Sequence, residues 1–333
     1  MHKNILSTIG NTPLVRLEKS VPGNRFRLFA KFEAANPGGS IKDRPATHII
    51  QQALEAKLIH SKSTIIESSS GNMGIGLAQV CAYHKLRFIC VIDAKTAMQN
   101  RGVLKAYGAE IDLVSKPDPV TGEFLPMRLK RVAELLQTIP DSFWPDQYSN
   151  LGNARAHYGT MHEIATELEG KVDHIFCATS TCGTLRGCST YVREHGLSTC
   201  VWAVDAAGSV LFGSPSARRL IPGHGTSVIP RLYYRGCEDQ HIHVTDLDCI
   251  LACRRLVARE AILAGGSSGA ILSAIEQVRD RIEDDSTCVA ILPDRGERYL
   301  DTIYSDEWVS RHFGDILDRK LKEPSWVPMT YTS

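Results

Sequence analysis

Short apolar runs rich in β-branched residues alternate along this chain with longer stretches of helical period, and no other feature limits the fold so much. The candidate strands are 28–32, 63–67, 88–92, 110–114, 174–178, 200–204 and 288–292. The candidate helices are 41–56, 73–84, 99–107, 128–137, 154–168, 184–194, 246–260 and 269–282. Strand–helix alternation predicts α/β architecture with mainly parallel sheets. Several strands are continuously apolar, which suits parallel strands covered on both faces. The chain has 333 residues, and single cores stop growing near ~250–300 residues, so two lobes are expected.

Charge narrows the function. There are 38 basic and 37 acidic residues, mixed along the chain, for a net charge of +1. Neither a nucleic acid nor a membrane surface is therefore an expected partner. No apolar stretch reaches the roughly 18–20 residues needed to span a bilayer, and the first residues carry no apolar run of signal-peptide length. A cytoplasmic location is the expectation. The ten cysteines fit it, because Cys81, Cys90, Cys177, Cys200 and Cys288 sit in apolar runs where a free thiol packs as a small hydrophobe. Cys249 and Cys253 have no second pair to complete a zinc site, so no metal is expected.

Glycine-rich segments follow strands or open helices at 37–40, 70–74, 182–184 and 265–269. In open α/β sheets, ligands bind beyond the carboxyl ends of strands, where such loops lie. The most informative stretch is Asn36-Pro37-Gly38-Gly39-Ser40-Ile41-Lys42-Asp43-Arg44-Pro45-Ala46. A Pro-Gly-Gly turn delivers a serine and then a lysine to the start of a helix, with Ser40 as cap and Asp43 in the first turn. Partial burial near the positive end of the helix dipole would move the Lys42 amine toward its neutral, nucleophilic form. In most sequences such a lysine faces solvent; here the flanking residues argue otherwise.

That stretch resembles the cofactor-lysine motif of the cysteine synthase and cystathionine β-synthase family, pyridoxal-phosphate enzymes of fold type II with a two-lobed architecture like the tryptophan synthase β subunit. The resemblance runs from Ile9-Gly10-Asn11-Thr12-Pro13-Leu14 to Tyr299. It implies that Lys42 carries pyridoxal 5'-phosphate as an imine and moves the Cα proton. Glu67-Ser68-Ser69-Ser70-Gly71-Asn72-Met73-Gly74 is similar to the family's substrate-carboxylate loop. Ser69, Ser70, Gly71, Asn72 and Met73 would hold the carboxylate, and Asn72 would reach the cofactor's ring hydroxyl. The segment departs from the family at Ser68, Ser69 and Met73; Met73 lacks a hydroxyl and bears on substrate size. Ser180-Thr181-Cys182-Gly183-Thr184 is similar to the family's phosphate cradle, with Ser180 and Cys182 standing where the family has glycine.

Ala264-Gly265-Gly266-Ser267-Ser268-Gly269 also fits a hydrolase nucleophile elbow. The only histidine beyond Ser267 is His312, in a polar segment, which argues against a hydrolase. By the resemblance Ser267 faces the pyridine nitrogen, a weak partner that favours loss of the β-substituent over transamination. Leu292-Pro293-Asp294-Arg295-Gly296-Glu297-Arg298-Tyr299-Leu300 is similar to the family's closing motif, and Asp294 would lie near the pyridine edge.

Within the family, segments 36–46, 116–118, 144–148, 204–210 and 292–304 resemble a subgroup that uses O-phospho-L-serine as first substrate and the amine of L-glutamate as nucleophile, in siderophore biosynthesis by way of 2,3-diaminopropionate. A second amino acid needs a further cation, and Arg128 is the candidate, with hydroxyls from Tyr148 and Ser180. Gln147 matches the family's carboxylate-binding position. The resemblance implies a large cofactor-binding domain of residues 1–37 plus 149–315, a smaller mobile domain of 38–148, a tail of 316–333, and a homodimer. A cysteine synthase or O-phosphoserine sulfhydrylase is the first alternative. A catalytically silent binding partner is the second, opposed by Lys42, Asn72 and Ser267.

Overall fold

The computed structural model describes residues 1–119 and 122–314, and the expected tail of 316–333 lies outside them. In chain order the regular elements are β1 (Leu14–Arg16), β2 (Arg27–Phe32), α1 (Asp43–Glu55), β3 (Thr64–Ser68), α2 (Asn72–His84), β4 (Arg87–Asp93), α3 (Met98–Ala106), β5 (Glu110–Val114), α4 (Leu125–Thr138), β6 (Ser142–Phe143), α5 (Leu151–Glu167), β7 (His174–Ala178), α6 (Gly183–Glu194), β8 (Cys200–Ala206), β9 (Gln240–Val244), α7 (Asp246–Glu260), α8 (Gly266–Val278), β10 (Thr287–Leu292) and α9 (Asp306–Phe313). Two sheets result. The larger runs β1-β2-β10-β7-β8-β9 and the smaller β5-β4-β3-β6. Among the strands of the described residues, only the β1–β2 pairing is antiparallel.

Burial explains the continuous apolar strands. Side chains alternate across a strand. In β7, Phe176 packs with Ile250 of α7 and Ile271 of α8 on one side, while Ile175 and Cys177 pack with Met161 of α5 and Leu185 of α6 on the other. The smaller sheet repeats the pattern. Ile65 and Phe88 meet Ile50 of α1 and Leu77 of α2, whereas Ile66 and Val91 meet Val132 and Leu135 of α4. Both sheets are thus helix-covered on two faces, as parallel sheets require.

Every expected strand and helix forms, with shifted ends. The helix expected from 269 begins at Gly266, which puts Ser267 in its first turn. α1 begins at Asp43, so Lys42 is its N-cap residue, and no side chain caps this end. Ser40 is therefore not the cap; its Oγ accepts from the Lys42 backbone N–H at 3.2 Å. Asp43 lies in the first turn, but its carboxylate turns back to accept from Gly38 N–H at 2.5 Å. The edge strand β9, Gln-His-Ile-His-Val, went unpredicted because it has no apolar run. All ten cysteines are free thiols, nine of them buried. Among the described residues, no helix is long and apolar enough to cross a membrane.

A buried charge cluster sits beneath the start of α1. Arg44 spans Glu33 at 2.7 Å and Glu163 at 2.6 Å, and Lys31 reaches Glu163 at 2.8 Å. Thr12 donates to Glu33 at 2.7 Å. The cluster ties β2, α1 and α5 together just below Lys42. Pro45 costs α1 nothing, because the first turn has no intrahelical acceptor for its N–H.

Candidate active site

Lys42 is placed by backbone pairing between distant segments. Ser40 and Asp294 form an antiparallel bridge, and Ile41 N–H donates to Pro293 O at 2.7 Å. The lysine thereby stands at the carboxyl end of β10, the edge where ligands bind in such sheets. Burial pushes its amine down to about 8, against the opposing pull of Cys182 and Asp294. Roughly a fifth of the amine is thus neutral near physiological pH, the form that attacks a carbonyl.

Asp294 is the hub of the polar network. It is 1% exposed. Its Oδ2 accepts from Asn72 Nδ2 at 2.7 Å and from the Tyr299 hydroxyl at 2.5 Å. Its Oδ1 has no protein partner. Burial raises its pKa, while Tyr299, Asn72 and Arg298 hold it down. Arg298 donates to Asn72 Oδ1 and to Gly38 O. Both ends of the Asn72 amide are therefore fixed. Ser267 opens α8 beside this hub: Gly265 N–H donates to Asp294 O at 3.1 Å. A Cβ on Gly265 would stand 2.0 Å from Asp294 Oδ1.

The loop after β3 is also held by protein. Ser69 Oγ accepts from Gly74 N–H at 2.9 Å. Ser70 donates to Asp93 Oδ2 at 2.9 Å and accepts from Arg128 at 2.7 Å. Arg128 also lies 3.3 Å from Asp93 Oδ2, so the expected free cation is already paired. Met73 is 2% exposed and packs in the apolar core with Leu77 and Ile65. Its side chain does not shape a substrate pocket; only its backbone faces the loop.

Gln147 donates from Nε2 to Ser68 O at 3.1 Å and from its backbone to Glu67 at 3.3 Å. Burial pushes Glu67 up to about 7, although Trp144, Ser68 and Gln147 donate to it. Burial also raises the Tyr148 phenol, with Arg128 pulling it down. The Tyr148 backbone carbonyl accepts from Leu232 N–H at 3.3 Å.

The loop after β7 has a different character. Cys182 holds a left-handed backbone at φ +63°, a conformation unfavourable for a side chain by roughly 1–2 kcal/mol. Gly183 opens α6, and a Cβ there would stand 2.2 Å from Asn153 Oδ1. Asn153 Nδ2 bridges Gln147 O at 2.8 Å and Thr181 Oγ1 at 3.2 Å. It thus ties the segment before α5 to the loop after β7, yet nothing in its first-turn position signals this. The first N–H groups of α6 have no intrahelical acceptors, and with the hydroxyls of Ser180, Thr181 and Thr184 they make an anion cradle.

Asn72 bonds Asp294 and Lys42 lies in its field, Cys182 lies in the field of Lys42, and Ser267 follows the Gly265 backbone bond to Asp294, whereas Arg128, Tyr148 and Gln147 lie along the Ser68–Ser70 edge. Arg298 stood in the closing motif without a role, and its contacts supply one. The donor set suits a phosphorylated aldehyde. It has an amine near neutrality, an anion cradle closed by a glycine that admits no side chain, and a buried carboxylate oxygen awaiting a partner.

A family model described as pyridoxal-phosphate dependent enzyme matches residues 5–294, and the chain belongs to that family. Its solved neighbours are enzymes of the cysteine synthase and cystathionine β-synthase kind. An O-acetylserine dependent cystathionine β-synthase from Helicobacter pylori is 30% identical over 92% of this chain and 99% of its own, with a TM-score of 0.85. A cysteine synthase from Entamoeba histolytica is 32% identical over 91% of each chain, also with 0.85. O-ureido-L-serine synthase is 30% identical over 93% of this chain and 99% of its own, with 0.84.

Proposed function

We propose that this chain joins O-phospho-L-serine to the amine of L-glutamate, releasing phosphate, as an N-(2-amino-2-carboxyethyl)-L-glutamate synthase of siderophore biosynthesis. The observation that supports the reading is the polar edge beside the Asn72 loop, where Arg128, paired with Asp93, donates to Ser70 and the Tyr148 phenol lies in its field. A sulfide nucleophile needs no such edge; a second amino acid does.

When bound, pyridoxal phosphate supplies the electron sink that lets the Cα proton and the β-substituent depart. Lys42 Nζ takes that proton and later returns it. The first turn of α2, with Ser69, Ser70, Gly71, Asn72, Met73 N–H and Gln147, receives the substrate carboxylate. Ser180 to Thr184 hold the cofactor phosphate, and Ser267 meets the ring nitrogen. The segment 38–148 closes over the bound substrate and excludes water, against a frame of 1–37 and 149–315. A cytoplasmic homodimer completes the reading.

The second reading is a cysteine synthase, favoured by neighbours described as acting in cysteine and cystathionine synthesis. The test is to charge the yellow holoprotein with O-phosphoserine, follow phosphate release, and offer glutamate or sulfide in turn. A glutamate adduct by mass spectrometry supports the proposal. Cysteine from sulfide with no glutamate adduct replaces it with the second reading. Borohydride reduction that leaves Lys42 unmodified would remove the basis of both.

A further inference from the structure

The long connection of residues 207–239, between β8 and β9, carries a buried imidazole that the site described so far does not use. His224 is 2% exposed, and neither ring nitrogen has a protein partner. A neutral imidazole offers one donor and one acceptor, and leaving both unmet in the interior is costly. The local backbone is built to hold the ring there. Gly223 and Gly225 flank it at φ +76° and +74°, and Gly225 N–H donates to Thr179 O at 2.8 Å, one residue before Ser180. Thr226 N–H donates to Ser209 Oγ at 3.0 Å.

Arg219 lies against this turn. Its Cδ and Nε stand 3.0 and 3.2 Å from where a Cβ on Gly225 would be. One terminal nitrogen donates to Gly208 O and the other to Ser227 Oγ at 2.8 Å. Several of its five N–H donors are left over. Among the described residues, no carboxylate lies within ion-pair distance of Arg219, although Asp246, which accepts from Leu220 N–H, lies in its field; Arg128, by contrast, is within 3.3 Å of Asp93. The same connection is fastened to the candidate site, since Leu232 N–H donates to Tyr148 O at 3.3 Å and Arg186 holds Leu232 O at 3.1 Å.

We propose that Arg219 and His224 form an anion subsite bordering Tyr148 and Ser180, which takes the side-chain carboxylate of a dicarboxylic amino-acid nucleophile. The subsite rests on the reading of the site as one for amino-acid β-replacement. Two electrostatic effects agree with it. Burial, and then the charge of Arg219, hold His224 at about 4, so the ring is neutral and donates through one nitrogen. Arg219 also pulls down the Tyr148 phenol, together with Arg128. The phenol therefore lies in the field of both cations.

The test compares wild type with Arg219→Gln and Arg219→Lys as holoenzymes. In Arg219→Gln the KM for glutamate rises about tenfold or more, the loss of one charge-assisted carboxylate contact. The KM for O-phosphoserine changes less than twofold, and Arg219→Lys falls between. An unchanged glutamate KM overturns the subsite. An equal rise for O-phosphoserine also overturns it, by assigning Arg219 to the leaving phosphate. If wild type makes no glutamate adduct, the function above fails but the subsite is still read, using glutarate as inhibitor of sulfide turnover. Inhibition weakened about tenfold in Arg219→Gln supports it, and equal inhibition refutes it. Circular dichroism and thermal midpoints establish that the variants are folded.

Discussion

Two loops of the same design, each ending a buried parallel strand and opening a helix, have come to opposite states. In the loop after β3, Ser69 is tied to Gly74, Ser70 lies between Arg128 and Asp93, and Asn72 lies between Asp294 and Arg298. In the loop after β7, the Ser180 and Thr184 hydroxyls make no hydrogen bond to protein among the described residues, and Cys182 sits in a left-handed conformation. The first loop is set in shape by protein before any ligand arrives. The second is left for a ligand to satisfy. One motif thus occurs twice, once with its polar groups answered by protein and once with two hydroxyls that protein does not answer.

Three experiments press on that contrast. The largest effect concerns Glu67, at the root of the first loop. Its folded pKa of about 7 exceeds the unfolded value of 4.5. The folded state therefore binds more protons than the unfolded state across that window, and stability falls as pH rises through it. Glu67→Gln removes the loss. Its stability relative to wild type should improve by about 2 kcal/mol between pH 5 and 8 in urea melts; parallel pH profiles would show that the first loop is not strained by charge. Next, Gly183→Ala pushes a methyl against Asn153 and breaks its tie between Gln147 and the loop after β7. It should destabilise the protein by about 1–2 kcal/mol, and an unchanged midpoint would mean that Asn153 is free to move. Smallest is Arg298→Gln, which loosens Asn72 and Gly38. A loss of about 1 kcal/mol is expected, with weaker retention of the cofactor on gel filtration. Full retention would show that Asn72 needs no second anchor.

The α/β class was legible because burial on both faces writes itself into a strand as an unbroken apolar run, as in 288–292. β9 was illegible for the converse reason: its outer edge faces solvent and its residues alternate polar and apolar. Lys42, Asn72 and Ser267 could be named as candidates because each sits in a glycine-rich segment of recognisable order. Asn153 and Arg219 could not, since one lies within a helix and the other in an irregular connection, and their importance arises only from what folding brings beside them. Met73 misled because a sequence lists a side chain without its direction, and here it points into the core. Arg128 was half legible, as its charge was visible but its partner Asp93 was not.

The charge cluster of Lys31, Glu33, Arg44 and Glu163 has an evolutionary consequence. Two positive and two negative groups close on one another out of water, and removing one alone strands the others at a cost of about 3–5 kcal/mol. These four positions can therefore diverge only in concert. Roughly two residues in three differ from the solved neighbours, and a change at any one of these four would need an answering change at another to keep the footing of the reactive amine.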